Sequence, residues 1–334
     1  MNRKVSLTLV VSLFVVISVK FIFWNSSEKN HTSGVCLPII AITQIIEHPS
    51  LDQERYGIIQ ALAKAGYIDG QTVKIVYQNA QGNMATAAQI VNQLLSQQPK
   101  VMVAISTPSA QAALAPCLKQ NIPLIFTAVT DPLEAKLVKN LTSRSESVAG
   151  VSDALGIPFQ IHLIKSLIPF LKTLGVIYNP GEDNSSKMVQ TLRSILAAEN
   201  ITLVEATASK TSDVTAATQS LIDKVQAIYI PNDNTAVSAL GSIVLVAERH
   251  RIPVIAADKG SVEMGAVATY GYDRHALGEK AGHLVVQALQ GTPVSTLPVL
   301  TDHPLKLFIN EKAAHRMGVT LPPDMLQKAE IIGK

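Results

Sequence analysis

Small polar residues gather directly behind the short apolar runs of this chain, and their types suit holding a small charged molecule rather than breaking a bond. Gln44 ends the first run and offers both an amide donor and an amide acceptor. His48, just before Pro49, could reach a ligand, though a lone histidine before proline reads first as a turn or cap residue. A later run ends in Ser106-Thr107-Pro108-Ser109. With Thr107 as helix N-cap and Pro108 at the first helical position, the amides of Ser109 and Ala110 are left pointing out of the helix start. An anion placed there would meet free amides, the hydroxyls of Thr107 and Ser109 and the positive end of a helix dipole. Capping alone is the competing reading of the same four residues.

The next strand end reads Thr127-Ala128-Val129-Thr130-Asp131-Pro132-Leu133-Glu134. Asp131 with Glu134 three residues on fits a capping box, which leaves Thr127 and Thr130 to face a cleft. Further on, Asn179 and Asn184 follow one run, and Pro231-Asn232-Asp233-Asn234 follows another. If Asn232 caps the helix that comes next, Asp233 is free to pair with a ligand ammonium. Asp153 and Asp258 are its rivals. No GxxxxGK[ST], HExxH, paired-cysteine or GxSxG motif is present, so no catalytic residue, cofactor or metal ligand is expected.

These residues need elements to hold them. Strands are expected at Leu37–Ile45, Thr72–Tyr77, Val101–Ile105, Leu124–Thr127 and Val148–Val151, with helices at Ser50–Ala65, Asn83–Ser96 and Pro108–Gln120 between them. This alternation predicts an α/β lobe with a doubly wound parallel sheet covered on both faces. A second half repeats the rhythm, with strands near Leu174–Tyr178, Thr202–Ala206, Ala227–Ile230 and Val254–Ala257 and helices near Asn184–Glu199, Ser212–Asp223 and Thr235–His250. The halves share phrasing: Ala104-Ile105-x-x-Pro108 then Ile122-Pro123, against Ala227-Ile228-x-x-Pro231 then Ile252-Pro253. A helix from Asp273 to Leu289 and a strand at Leu305–Ile309 follow. Two lobes joined by three crossover strands are therefore expected, with crossings near 152–153, 272–273 and 302–303. The N-terminal lobe would comprise 37–153 plus about 273–302, and the C-terminal lobe 154–272 plus about 303–334. In such open sheets ligands sit beyond the carboxyl ends of the strands, where the polar residues above lie.

Residues 1–36 read as a leader. Arg3 and Lys4 precede an apolar run over 5–24 broken only by Lys20, an export signal or a membrane anchor. No small-x-small site follows it, so a tether to the membrane is expected, with the rest of the chain outside the cytoplasm. Ser33-Gly34-Val35-Cys36 lacks the leucine and the small residue that lipidation of Cys36 would need. Removing the four basic and one acidic leader residues from totals of 28 and 25 leaves a neutral body, which carries no footprint for nucleic acid. Cys36 and Cys117 give no disulfide framework, and Trp24 is the only tryptophan.

Six segments together carry a resemblance. They are Ile40-Ala41-Ile42-Thr43-Gln44-Ile45-Ile46-Glu47-His48-Pro49, Tyr77-Gln78-Asn79-Ala80-Gln81-Gly82, Phe126 to Pro132, Gly150-Val151-Ser152-Asp153, Tyr178 to Glu182 and Pro231-x-Asp233-Asn234. In that order, over about 37–330, the chain resembles the ABC transporter substrate-binding family of the tryptophan and tyrosine uptake type. The resemblance implies a type I periplasmic-binding-protein fold that closes on an amino acid, aromatic by preference. It also implies delivery to a membrane permease driven by a cytoplasmic ATPase. A membrane-tethered sensor that signals to a partner protein is the alternative. The family commonly starts with a cleavable lipoprotein leader, from which this leader departs.

Overall fold

A computed structural model describes residues 37–142 and 147–333. The expectations for the leader, the membrane tether and Cys36 lie outside these residues. Two sheets carry the fold. The first runs β11-β5-β4-β3-β1-β2, where β1 is Ile39–Gln44, β2 Lys74–Asn79, β3 Val101–Ile105, β4 Leu124–Val129, β5 Val148–Ser152 and β11 Val299–Leu300. All of its pairings are parallel. The second runs β13-β12-β10-β9-β8-β6-β7, with β6 at Thr173–Tyr178, β7 Thr202–Thr207, β8 Ala227–Ile230 and β9 Val254–Ala256. Its remaining strands are β10 Ala268–Gly271, β12 Lys306–Asn310 and β13 Glu330–Ile332; β10 and β12 pair antiparallel. Each sheet has its own apolar core. Near-continuous Ile, Val and Ala runs such as Val101–Ile105, buried at every residue, follow from coverage on both faces.

The chain passes between the sheets three times: after β5, after β10 and between β11 and β12. The helices of the first lobe are α1 (Pro49–Lys64), α2 (Met84–Leu95) and α3 (Thr107–Gln120). In the second lobe are α4 (Ile157–Leu167), α5 (Asp183–Ala198), α6 (Val214–Leu221), α7 (Asn234–Ser238), α8 (Leu240–His250) and α9 (Lys259–Glu263). Helix α10 (Arg274–Leu289) returns to the first lobe and lays Leu277, Ala281, Leu284 and Val285 into its core. Short helices α11 (Glu311–Arg316) and α12 (Pro323–Lys328) complete the second lobe.

Three local expectations are corrected. The helix expected over Thr235–His250 is two helices, because Ala239 leaves helical geometry (ψ 15°) between them. The N-cap of α3 is Ser106, not Thr107, and its φ of 91° lies in a region that side chains avoid. Asp233, not Asn232, caps α7, accepting from the Ala236 amide at 2.7 Å. Asp131 does accept the amides of Leu133 and Glu134, each at 3.0 Å, but a turn and no α-helix follows.

Helices α1 and α10 approach closely because glycines face each other. A Cβ at Gly278 would lie 2.0 Å from the Glu54 carbonyl oxygen, and one at Gly57 2.2 Å from that of His275. Gly241, inside α8, has nothing within 4 Å of the same position. Gly278→Ala should therefore destabilise the fold by about 1–3 kcal/mol through overpacking. Gly241→Ala should stabilise it by about 0.5–1 kcal/mol, since alanine is the better helix former. Urea titration of both variants checks the opposite signs.

A cleft closed over unpartnered polar atoms

Strand ends β1, β3, β4 and β5 of one lobe face strand ends β6, β8 and β9 of the other across the cleft. The lobes touch through side chains. Ser50, at the start of α1, donates to Asp258. Gln111 donates to Asp183 at 2.8 Å, and Lys187 lies 3.6 Å from Glu134. Asn232 reaches from the second lobe to the Asp153 carboxylate at 3.2 Å.

At the base of the cleft Arg274, the first residue of α10, is buried between Glu54 at 2.9 Å and Asp153, and also donates to Asn232 at 3.3 Å. One guanidinium thus serves two carboxylates. Burial pushes the Glu54 carboxyl up to about 7, against the pull of Arg274. Thr127 donates to Glu54. Ala128, next along, has φ 54°, and the β4–β5 register shifts between Phe126 and Val129. This irregularity aims Thr127 at Glu54 and leaves Ala128 on the cleft wall.

Two hollows lie along the cleft. The deeper holds about 20 Å³, room for one water-sized group, and is bordered by His48, Thr130, Asp153, Asn184, Asn232 and Arg274 among others. The outer holds about 250 Å³. One face of α5 lines it with Asn184, Lys187, Met188 and Thr191, and Leu155, Ile157, Pro158 and Ala135 supply an apolar wall. Thr107 and Thr130 close it from the first lobe. Several polar atoms here are buried without a partner: Thr107 Oγ1, His48 Nδ1, Asp153 Oδ1, Asn184 Oδ1 and Arg274 Nε. Unpartnered polar atoms gathered along two adjoining hollows suit a polar occupant of the cleft.

The residues singled out from the sequence divide into two sets. Thr107, Thr130, Asp153, Asn184, Asp233, Asn234 and Asp258 border the hollows. Gln44, Ser106, Ser109, Thr127 and Asn179 do not border them and bond inward: Gln44 to the Ile46 carbonyl and Asp52, Ser106 to Ser109, Thr127 to Glu54, Asn179 to Thr235. Asp233 borders the deep hollow, yet both its oxygens are engaged. Oδ1 accepts from Ala236, and Oδ2 accepts from the Asn179 amide at 2.6 Å and the Ser185 hydroxyl at 2.6 Å. Burial, with Glu182 close by, pushes Asp233 up to about 7. Asp258 is likewise engaged by Ser50 and Ser261. Of the three rival aspartates only Asp153 keeps a free oxygen. Sequence reasoning passed over Arg274, Glu54, Ser50 and Glu182. For Glu54 a signal existed: it shares the buried face of α1 with Leu51, Ile58, Ala61 and Leu62.

Amides at the start of α3 are also narrowed. Ala110 bonds the Ser106 carbonyl at 3.0 Å and is not an open donor, and Thr107 is the residue of this turn that borders the outer hollow. The equivalent turn of the second lobe, at the start of α7, is filled from within. Glu182 accepts from both the amide and the side chain of Asn234 and of Thr235, at 2.6–3.1 Å. Both Glu54 and Asp233 have carboxyls raised from their ordinary range. Their contribution is complete at low pH and is lost as pH rises through about 7. His48, held down to about 4, contributes with the opposite sign over this interval, but the two carboxyls outweigh it. Ligand-free protein should therefore lose stability from about pH 4.5 to about pH 7, and Glu54→Gln should flatten that decline. Urea midpoints across this range check it; a wild-type midpoint that rises over the interval would contradict it.

Comparison with known proteins agrees with the two-lobe α/β fold. The profile of ABC transporter substrate binding proteins matches residues 39–332. A tyrosine-binding protein of Clostridioides difficile is 42% identical over 286 residues, 86% of this chain and 82% of the relative. The ABC domain in complex with L-Trp from Streptococcus pneumonia is 33% identical and superposes with a TM-score of 0.83, covering 89% of this chain and 100% of that one. The ligand-free, open structure of a substrate binding protein with adhesive properties from Clostridium difficile is 36% identical with the same coverage, yet its TM-score is 0.65. At similar identity the chain superposes more closely on the tryptophan complex than on the ligand-free, open structure. From the matched span, the two-lobe fold and these relatives, the chain belongs to the ABC transporter substrate binding protein family.

Proposed function

We propose that the chain is the extracytoplasmic solute-binding component of an ABC importer. It closes on an aromatic L-amino acid of the tyrosine or tryptophan kind and presents it to a membrane permease driven by a cytoplasmic ATPase, with the leader as its tether. The observation that carries the ligand reading is the start of α3. Thr107 is 2% exposed, its hydroxyl has no partner, and it faces the outer hollow at the positive end of a 14-residue helix. The matching turn of the other lobe already holds a carboxylate, that of Glu182. A ligand α-carboxylate at the start of α3 beside Thr107 repeats in one lobe the arrangement that the chain builds for itself in the other.

From that anchor, a side chain directed along α5 meets Met188, Leu155, Ile157 and Pro158. These apolar groups suit an aromatic ring, and a thioether makes favourable contacts with one. The names of the relatives support the same class: tyrosine for one, L-Trp for the other. A ligand that touches both lobes stabilises the closed state, and transport then depends on differential affinity and not on reaction.

Calorimetry on the full chain tests this reading. L-tyrosine or L-tryptophan should bind, and tryptamine, which lacks the carboxylate, should not. Thr107→Val keeps the shape and removes the hydroxyl, and should weaken binding about tenfold or more by loss of a hydrogen bond to a charged group. Tryptamine binding as well as tryptophan would remove the carboxylate site; no binding of tyrosine, tryptophan or phenylalanine would remove the aromatic assignment.

A further inference from the structure

We infer that His48, Asp153 and Asn184 form a pocket for a primary ammonium group, in which the His48 ring accepts a hydrogen bond through Nδ1. The inference rests on the reading that the ligand is an amino acid, and adds which residues hold its amine. All three residues border the deep hollow of about 20 Å³. Each presents a buried atom without a partner: His48 Nδ1, Asp153 Oδ1 and Asn184 Oδ1.

Two of the three atoms are acceptors by their chemistry and bonding, and the third is an acceptor in one tautomer of the neutral ring. Asn184 spends its amide nitrogen on the Asn232 carbonyl at 2.7 Å, so its oxygen points the other way. Asp153 engages Arg274 and Asn232 through Oδ2 alone, leaving Oδ1. Asn234, which gives its nitrogen to Glu182 at 2.6 Å, borders the same hollow as the ring. In the tautomer protonated on Nε2, the neutral ring presents a lone pair at its unpartnered Nδ1. Burial holds the ring down to about 4, so it is neutral at physiological pH. His48 occupies the N-cap position of α1 but makes no side-chain cap bond, so capping leaves the ring unexplained.

An ammonium brings three N–H donors, which matches three converging acceptors. Charge points the same way. Arg274 Nε, the other unpartnered atom bordering the hollow, belongs to a single cation facing Glu54 and Asp153, with Asp258 and Asp233 on the same hollow. A ligand cation adds positive charge beside carboxylates that Arg274 otherwise faces alone. The three acceptors come from the first lobe, from the segment after β5 that crosses between lobes, and from the second lobe. An ammonium bound to all three holds the lobes together at their hinge.

The test compares each ligand with its deamino counterpart on the full chain by calorimetry. His48→Leu should raise the Kd for L-tyrosine about tenfold or more, while the weaker binding of 3-(4-hydroxyphenyl)propionate stays within about twofold. His48→Asn, whose side-chain oxygen replaces the Nδ1 acceptor, should recover most of the lost affinity, and thermal melts of both variants check folding. Equal losses for both ligands, an unchanged Kd for tyrosine, or a misfolded His48→Leu with a His48→Asn that binds no tighter than Asp153→Asn would overturn the pocket. Should a non-aromatic amino acid bind instead, the aromatic reading fails and the same comparison is made with that amino acid and its deamino acid. If none of the twenty binds the wild-type chain, the pocket is overturned with it.

Discussion

Arg274 under the cleft is the constraint around which the rest is arranged. A guanidinium this deeply buried persists only if carboxylates and amide oxygens reach it. Glu54 comes from α1, Asp153 from the segment after β5, and Asn232 from the strand end of the other lobe. Arg274 itself follows the second passage of the chain between lobes. Hinge, cleft floor and the far lobe are therefore tied to one charge. The close glycine packing of α1 on α10 sets the distance at which Glu54 and Arg274 meet.

The duplicated lobes share a plan but use it differently. Each places a polar turn at a strand end and a helix start behind it. In the second lobe Glu182 and Asp233 satisfy that turn, so the lobe is complete in itself. In the first lobe the helix start has a strained Ser106 (φ 91°) and an unpartnered Thr107 hydroxyl. Backbone strain of this kind persists where the surroundings enforce it, and functional sites are where it collects. One finished turn facing one unfinished turn gives the cleft its direction for a ligand.

The alternating apolar runs made the two sheets and most helices legible, because strands covered on both faces are apolar throughout and helices are striped. The strand Val101–Ile105 was legible to the residue. Less was legible where polarity or shortness hides an element. Helix α4 begins Ile157-Pro158-Phe159 without a polar cap, and α9 and β13 are too short for a period to show. The break at Ala239 has no sequence mark, since no glycine or proline stands there. Site residues near strand ends were visible as a class, but their partners were not. Asp233 looked free because Asn232 also fits a cap, and only the folded chain shows its oxygens engaged by Ala236, Asn179 and Ser185. Arg274 was invisible for a similar reason: an arginine after a crossover is ordinary until Glu54, 220 residues earlier, closes on it.

The measurement that bears most directly on this account is a crystal structure of the chain grown with L-tyrosine. The ring is expected against Met188 and Leu155, the carboxylate at the start of α3 beside Thr107, and the amine within hydrogen-bond distance of Asp153 Oδ1, Asn184 Oδ1 and His48 Nδ1. A tyrosine held with its carboxylate against Arg274 and its amine at the start of α3, or bound outside the cleft, would contradict it.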